Sequence, residues 1–228
     1  MNYVIDAPEL PTLPVRGTGD LFPIHRIYCV GRNYAEHARE MGHDPDKEPP
    51  FFFQKNPDTI VPDGGGFPYP DKSSDVHFEM ELVVALAKGG KDIAEADALA
   101  CIFGYAVGLD MTRRDLQGEA KKKGRPWEVG KAFEYAAPCS ELVAASDIGH
   151  PDNARIWLDV NGDNRQNGNI NQLIWNIPET ISYLSGLFTL APGDLIYTGT
   201  PAGVGPIERG DVMKGGVDGI GEISIIVA

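Results

Sequence analysis

Two glutamates stand two residues apart at the start of the strongest strand pattern in the chain. Glu79 and Glu81 lie in the segment His77 to Leu82, and residues i and i+2 of a β-strand project from the same face. Two carboxylates on one half-buried face repel each other unless a cation lies between them. Taken alone, the pair fits an exposed strand face with two surface glutamates at least as well.

A third carboxylate shifts that balance. Asp110 ends the apolar, strand-like segment from Phe103 to Leu109, and polar residues at strand ends often face a cleft. Ligand sets made only of oxygen favour a hard divalent cation over zinc. Glu79, Glu81 and Asp110 are therefore predicted to bind Mg²⁺, with Mn²⁺ or Ca²⁺ as alternatives. Asp115, shortly after them, fits the acidic first turn of a helix.

Two further groups could act on a substrate held there. His37 and Glu40 are three residues apart, so on a helix they share a face, and a carboxylate beside an imidazole makes a water-activating pair. Two exposed residues on a surface helix would have the same spacing, so this alternative stays open for His37 and Glu40. Lys131 stands alone among glycine and apolar residues, as either a buried cation directed at an anion or a surface lysine with its stem on apolar surface. Thr200 lies in the glycine-rich turn Gly199 to Gly205, a pattern that can present N–H groups to anions but is also typical of ordinary turns.

Charge and composition narrow the class of protein. The 228 residues include 20 Lys and Arg against 33 Asp and Glu, a net charge of −13. The one compact basic segment, Lys121 to Arg125, is too short for the basic surface of a nucleic-acid-binding protein. The apolar runs are too short to cross a bilayer. Three widely spaced cysteines predict reduced thiols in a cytoplasmic protein. We therefore expect a small-molecule substrate, and an anionic one would need a local cation.

The elements that must position these groups are short strands. Twenty-seven glycines and 18 prolines favour a mainly β (α+β) domain with many turns. We expect an extended N-terminal segment over 1–24 and one catalytic domain over 25–228. Strands are predicted over 76–87 and 103–110, helices over 93–102, 112–123 and from Asn176 to about Leu187, and a hairpin at Asn161-Gly162. Asn33 to Pro50 has the composition of a mobile lid.

Familiar nucleotide, hydrolase and zinc-protease motifs are absent from the sequence. It contains no GxxxxGK[ST] loop, GxGxxG, GxSxG or HExxH, which argues against the enzymes that depend on them.

Taken together and in their order along the chain, the segments that carry these residues resemble those of the fumarylacetoacetate hydrolase family, most closely its acylpyruvate hydrolase branch. The resemblance extends from about residue 27 to the C-terminus and is far more specific than any single segment. The matching segments are Cys29–His37, His77–Leu82, Gly104–Gln117, Lys121–Trp127, Gly130–Phe133 and Tyr197–Gly205.

The resemblance implies roles for individual residues. It implies metal ligands at Glu79, Glu81 and Asp110 and a catalytic set of His37, Glu40 and Lys131. The substrate-binding residues that it implies are Arg32, Arg114, Gln117 and Thr200. Arg113 departs from many relatives, which carry a small residue there, and either leaves the site or adds a cation to it. The implied fold is a mixed β-sandwich roll with short flanking helices, usually in homodimers.

The implied reaction is hydrolytic carbon–carbon cleavage of a 2,4-dioxo acid, such as fumarylpyruvate to fumarate and pyruvate, in the breakdown of aromatic compounds such as gentisate. His37, held by Glu40, would activate water, and Lys131 with Gln117 would stabilise the developing oxyanion. Two alternatives stay open. One is a decarboxylase of oxaloacetate or a related β-keto acid on the same scaffold, and the other is a non-enzymatic module that binds divalent cations.

Overall fold

Strands dominate the computed structural model, which describes residues 3–40 and 49–228. Those residues form eighteen strands: β1 (Thr12–Pro14), β2 (Leu21–Pro23), β3 (Ile27–Gly31), β4 (Phe51–Lys55), β5 (Ile60–Pro62), β6 (Gly66–Phe67), β7 (Val76–Phe78), β8 (Met80–Leu86), β9 (Ile102–Leu109), β10 (Thr112–Arg113), β11 (Ala137–Cys139), β12 (Val143–Ala144), β13 (Arg155–Val160), β14 (Asp163–Asn169), β15 (Leu195–Tyr197), β16 (Gly205–Pro206), β17 (Val212–Val217) and β18 (Gly221–Val227). The α-helices there are α1 (Ala35–Glu40), α2 (Glu95–Ala98), α3 (Arg114–Lys123), α4 (Glu128–Lys131), α5 (Ala145–Ile148) and α6 (Ile177–Leu187), with 3-10 turns at Pro57–Thr59, Leu99–Cys101 and Ile170–Gln172.

The largest sheet carries the chain's functional segments. Its strand order is β4-β3-β15-β8-β9-β11-β5, with β12 paired to β9. A second sheet has the order β14-β13-β17-β18-β6, a third the order β10-β7-β16, and β1 pairs with β2. The predicted mixed β roll with short helices is confirmed.

Strand β8 is buried on both faces, which explains its almost uninterrupted apolar sequence. Leu82, Val84 and Leu86 enter the core shared with the second sheet. Val83 and Ala85 face the opposite way, into a core that the β1–β2 hairpin covers. The large sheet is therefore a central layer between two cores. The division into a segment over 1–24 and a domain over 25–228 stays a prediction.

Local signals in the sequence placed several elements correctly. The hairpin at Asn161-Gly162 joins β13 to β14, and both residues have the positive φ of a type I′ turn, 54° and 84°. Asn176 caps α6 by accepting from the Glu179 backbone N–H at 3.0 Å. Pro178 lies at the second helical position, where its missing N–H would have no partner within the helix.

Two expectations about element length were wrong. The helix predicted over 93–102 is reduced to α2 and the turn after it, because Ile102 already starts β9. The strand predicted over 76–87 is broken at Glu79, where the chain passes from β7 in the three-stranded sheet to β8 in the large one. The lid expected over Asn33 to Pro50 has residues 41–48 outside the described residues, so its mobility stays a prediction.

Two further expectations concerned the cysteines, predicted to be reduced thiols, and the apolar runs, predicted to be too short to cross a bilayer. Cys29, Cys101 and Cys139 are all buried free thiols. Within residues 3–40 and 49–228, no helix has the length and apolar character needed to cross a membrane.

Candidate active site

Three buried carboxylates meet where β8 begins and β9 ends. The antiparallel register pairs Met80 with Leu109, so Glu79 and Asp110 follow as the next opposed pair, and the Asp110 N–H donates to the Glu79 carbonyl at 2.8 Å. Glu81 lies one pleat further along β8. Each of these carboxylates is at most 6% exposed, and one oxygen from each lies within 4.8 Å of the others.

The predicted alternation holds despite the break at Glu79. Phe78, Met80 and Leu82 all enter the first core, while Glu79 and Glu81 point the other way. Glu79 and Glu81 therefore lie on the same face of the strand as Val83 and Ala85, which pack into the second core. An exposed strand face, the alternative that the sequence left open, does not fit this burial.

Lys131 lies against two of these carboxylates. Its Nζ donates to Glu79 Oε2 at 2.9 Å, to Asp110 Oδ2 at 2.7 Å and to Thr112 Oγ1 at 2.6 Å. These contacts use all three N–H bonds of an ammonium group. The surface-lysine alternative is therefore wrong. The expected oxyanion-stabilising role also does not fit this geometry, since no N–H of Lys131 is left to donate.

Two more cations surround the carboxylates. Lys55, on β4, places its Nζ 2.8 Å from Asp110 Oδ1 and donates to the carbonyl groups of Met111 and Lys131. Arg114 donates from Nη2 to Glu79 Oε1 at 2.5 Å. Lys55 is 2% exposed, and burial of a lysine is rare without an anionic partner.

The two glutamates differ in how well their charges are compensated. Burial alone would raise the pKa of Glu79, but Lys131, Arg114 and His37 together hold it well below its usual range. Glu81 has the opposite balance, because burial and the neighbouring Asp110 and Glu79 raise its pKa well above the usual range.

This donor set fits a hard divalent cation. Asp110 Oδ1 is buried and accepts no hydrogen bond of acceptable geometry, although Lys55 Nζ is close to it. Glu81 stays a buried acid whose charged form is disfavoured until more positive charge is supplied. Carboxylate oxygens are the ligands that Mg²⁺ and Mn²⁺ prefer, so the residues present suit such an ion.

His37 reaches the same pocket from α1. It is 6% exposed, and its Nδ1 lies 3.3 Å from Glu40 Oε2. Burial lowers the pKa of His37 against the opposing influence of Glu79 and Glu40, so its imidazole is neutral at neutral pH and able to accept a proton. The exposed-pair alternative is therefore wrong for His37.

Asn33 anchors the start of that helix. Its Nδ2 donates to the carbonyl groups of Trp175 and Thr198, at 2.9 and 2.8 Å, and its Oδ1 accepts from the Trp175 N–H at 2.8 Å. A Cβ on Gly199 would come 2.7 Å from the Cβ of Asn33, so this close approach requires glycine. The Gly199 N–H then donates to Glu81 Oε2 at 2.8 Å, which links the glycine turn to the carboxylates.

One face of α3 closes another side of the pocket. Arg114, Gln117 and Lys121 follow the i, i+3, i+7 spacing of a helix face, and all three line the pocket. Gln117 is 2% exposed, and its Oε1 accepts from Arg114 Nη1 at 2.8 Å. Its amide N–H bonds have no acceptor among the described residues and are left to donate to a substrate.

An aromatic wall completes the pocket. Phe51 and Trp127 meet edge to face with centroids 5.3 Å apart, and Phe53 lies 5.8 Å from Trp127. The Arg32 guanidinium stacks 5.1 Å from the Phe51 centroid, and its backbone has a positive φ of 58°. A non-glycine residue in this conformation is strained, so the fold holds Arg32 at the pocket edge at some cost.

Nearly all the predicted site residues line this one pocket, and the remaining one, Glu40, contacts His37. The lining residues from that set are Arg32, His37, Glu79, Glu81, Asp110, Arg114, Gln117, Lys131 and Thr200. Arg113 is not among the residues that line it, because its guanidinium stacks 4.2 Å from the Phe133 centroid.

Sequence reasoning missed Lys55, Lys121 and the aromatic wall. Lys121 could have been found from its spacing to Arg114 and Gln117 on one helix. No sequence spacing links Lys55 to the other site residues, because it is the pairing of β4 with β3 that places Lys55 beside the carboxylates.

Replacing Lys55 with Met should lower the free energy of unfolding, without divalent ions, by about 1–3 kcal/mol, the usual cost of leaving a buried acceptor without its partner, because Lys131 still pairs with Asp110. Urea unfolding measures this loss. Added Mn²⁺ should reduce it, because the ion supplies Asp110 with positive charge. Lys88→Met, at an exposed lysine, is the matched control, and an equal loss in both variants would contradict the role of Lys55.

Comparison with known proteins gives a consistent family assignment. The family model described as "Fumarylacetoacetate (FAA) hydrolase C-terminal" matches residues 26–228. The fumarylpyruvate hydrolase of a Ralstonia species is 49% identical over 189 residues, which cover 82% of this chain and 98% of that protein.

Two other similar proteins extend the comparison. The crystal structure of fumarylpyruvate hydrolase from Pseudomonas aeruginosa, in complex with Mn²⁺ and pyruvate, matches with a TM-score of 0.97 and 53% identity, covering 100% of this chain and 99% of that one. The mitochondrial oxaloacetate decarboxylase of Dictyostelium discoideum is 42% identical over 195 residues, or 86% of this chain and 89% of that protein. The relatives therefore include more than one activity.

Proposed function

The chain belongs to the fumarylacetoacetate hydrolase family, and we propose that it is a metal-dependent hydrolase that cleaves a carbon–carbon bond in 2,4-dioxo acids of the acylpyruvate type. One observation carries the proposal. Three buried carboxylates suited to a divalent ion share a pocket with His37, a buried imidazole in contact with Glu40. Hydrolysis needs both features, because the substrate must be held and water must lose a proton.

The finer assignments follow from the relatives. We propose fumarylpyruvate as the substrate, which would place the enzyme in the breakdown of aromatic compounds such as gentisate. The similar hydrolases from Ralstonia and Pseudomonas support that substrate. The Mn²⁺ in the Pseudomonas complex supports a divalent ion, Mg²⁺ or Mn²⁺, on Glu79, Glu81 and Asp110. A homodimer in the cytoplasm is proposed from the family resemblance.

His37 is the proposed base. Its Nδ1 faces Glu40, so Nε2 is the atom left to take a proton from water. Since burial lowers the pKa of His37, the neutral form that can accept this proton predominates at neutral pH. The activated water attacks the C4 carbonyl, and the bond between C3 and C4 breaks with its electron pair going to C3. The proton that His37 took from water returns to C3, so that pyruvate and the second acid are released.

The oxyanion at C4 needs a donor that is not already engaged. We assign this role to the Gln117 amide, whose Oε1 is held by Arg114 so that its N–H bonds face the pocket. A divalent cation on the three carboxylates would act as a Lewis acid toward the 2-oxo acid end of the substrate. Lys131 keeps Glu79 ionised and donates to both Glu79 and Asp110, which holds them in place for that cation.

The second candidate is decarboxylation of oxaloacetate, which the Dictyostelium relative favours. That reaction needs the same metal-held 2-oxo acid but no attacking water. His37 distinguishes the two, because only hydrolysis uses a base on water. A module that binds cations without catalysis would leave the buried His37 and its contact with Glu40 without a role.

A substrate panel tests the proposal. We expect pyruvate release from fumarylpyruvate and acetylpyruvate with Mg²⁺ or Mn²⁺ to exceed carbon dioxide release from oxaloacetate, and EDTA to abolish both. Maleylpyruvate and fumarylacetoacetate serve as comparison substrates. Faster turnover of oxaloacetate than of any acylpyruvate would favour the decarboxylase, and no turnover of any substrate would contradict both enzymes.

A further inference from the structure

Lys121 is a cation in the pocket that no anion among residues 3–40 and 49–228 pairs with. It lies in the last turn of α3 and lines the pocket, and its Nζ lies 4.9 Å from the centroid of Trp127. No described residue forms an ion pair or hydrogen bond with this Nζ. The neighbouring Lys122 and Lys123 are exposed, so Lys121 alone in this run faces the interior.

The other cations around the carboxylates are already committed. Lys131 is paired with Glu79 and Asp110, and Arg114 with Glu79. Among the described residues, four cationic side chains line the pocket against three carboxylates, in a chain whose net charge is −13. The described residues therefore make the end of the pocket at Lys121 locally positive before any metal binds, which is the condition for attracting an anion.

Its surroundings make this position unfavourable for an ammonium group without an anion. Burial lowers the pKa of Lys121 to about 8, and the charges of Arg114, Arg32 and Lys131 act in the same direction, with Glu79 opposing them. A carboxylate bound beside Lys121 would restore the charge balance. The Trp127 ring meanwhile holds the ammonium in place by a cation–π contact.

The distance along α3 fits a substrate with two acid groups. Arg114 contacts the metal-site carboxylate Glu79, and Lys121 lies seven residues later, which is about 10 Å along a helix axis. A seven-carbon dicarboxylic acid in extended form has a comparable length. Its 2-oxo acid end could therefore lie at the carboxylate cluster while its other end reaches Lys121.

We propose, on the basis of the function proposed above, that Lys121 binds a second carboxylate at the acyl end of the substrate and so selects acylpyruvates whose acyl group carries an acid. Lys121 is thus a specificity-determining residue. The aromatic wall formed by Phe51, Phe53 and Trp127 encloses the unsaturated or apolar middle of such a substrate.

The test compares fumarylpyruvate, which has a second carboxylate, with acetylpyruvate, which lacks it. Lys121→Met should raise KM for fumarylpyruvate by about 10- to 100-fold, the range for losing a hydrogen bond to a charged group. Its kcat, and both constants for acetylpyruvate, should stay within about twofold of wild type, since the reacting atoms are untouched. Lys122→Met, at the exposed neighbour, is the matched control and should change neither substrate.

Each other outcome has a definite meaning. Equal effects of Lys121→Met on both substrates, or none on either, would overturn the proposal. If the wild type cleaves neither substrate, the hydrolase function fails. Calorimetry on the Mn²⁺-loaded protein then still tests the role of Lys121. If Lys121→Met binds fumarylpyruvate more weakly but acetylpyruvate equally well, the proposed role is supported. Unchanged binding of fumarylpyruvate would overturn it.

The pH profile gives an independent readout. Deprotonation of Lys121 removes the charge that holds the second carboxylate, so KM for fumarylpyruvate should rise above about pH 8 in the wild type. Lys121→Arg keeps its charge and should bind fumarylpyruvate without that rise. A rise that persists unchanged in Lys121→Arg would contradict the proposal.

Discussion

Replacing His37 with Ala should lower kcat/KM for acylpyruvate hydrolysis by about 10²–10⁴-fold, the usual loss when a general base is removed. The imidazole is buried in the pocket beside Glu40, and the described part of the pocket offers no second neutral base. Any oxaloacetate decarboxylation should lose far less, because Glu79, Glu81 and Asp110 are untouched. Initial rates of both reactions on the same protein sample measure the difference.

The controls separate base catalysis from other roles of this side chain. Glu40→Gln should show the same pattern more weakly, and His150→Ala, outside the pocket, should change neither reaction. Because burial lowers the pKa of His37 below its ordinary 6.5, hydrolysis should be lost only as the pH falls below about 6.5, where the imidazole becomes protonated. Equal loss of both reactions in His37→Ala, with metal binding kept, would mean that His37 positions the substrate instead.

Replacing Glu81 with Gln should abolish metal-dependent turnover and weaken Mn²⁺ binding by about 100-fold or more, beyond the loss typical of groups that only orient a ligand. The fold should survive without metal. Burial already raises the pKa of Glu81, so a neutral amide of the same shape suits the site, and its oxygen can still accept from the Gly199 N–H.

Calorimetric titration with Mn²⁺ and urea unfolding of the metal-free protein check both halves of this prediction. Glu95→Gln, at an exposed glutamate in α2, is the matched control and should alter neither quantity. Unchanged Mn²⁺ affinity in Glu81→Gln would remove Glu81 from the metal site.

Much of the site could be predicted because its signals are local. Glu79 and Glu81 follow the two-residue period of a strand, and His37 and Glu40 follow the spacing of a helical turn. The grouping of these segments came from the resemblance to a family, since strand order and register are not readable from a single sequence. The break at Glu79 was missed because β7 and β8 form one continuous pattern in the sequence, although they belong to different sheets.

The environment of Lys131 shows what the sequence did not contain. Its type and apolar neighbours allowed either a buried or a surface lysine, and the choice depends on Thr112 and Asp110, which tertiary packing brings to its Nζ. Lys55 is a similar case, because its register on β4 places it beneath Asp110. Buried ion pairs between distant segments have no sequence period, so they emerge only from the fold.

Hydrolysis at this site has a direct isotopic signature. Fumarylpyruvate should be cleaved by the Mn²⁺-loaded protein in H₂¹⁸O, and the fumarate should be analysed by mass spectrometry. Since water activated by His37 attacks C4, we predict one ¹⁸O atom in a carboxylate of each fumarate released, with pyruvate formed in equal amount. Fumarate formed without the label, or no cleavage while oxaloacetate is decarboxylated, would contradict the assignment of this site to acylpyruvate hydrolysis.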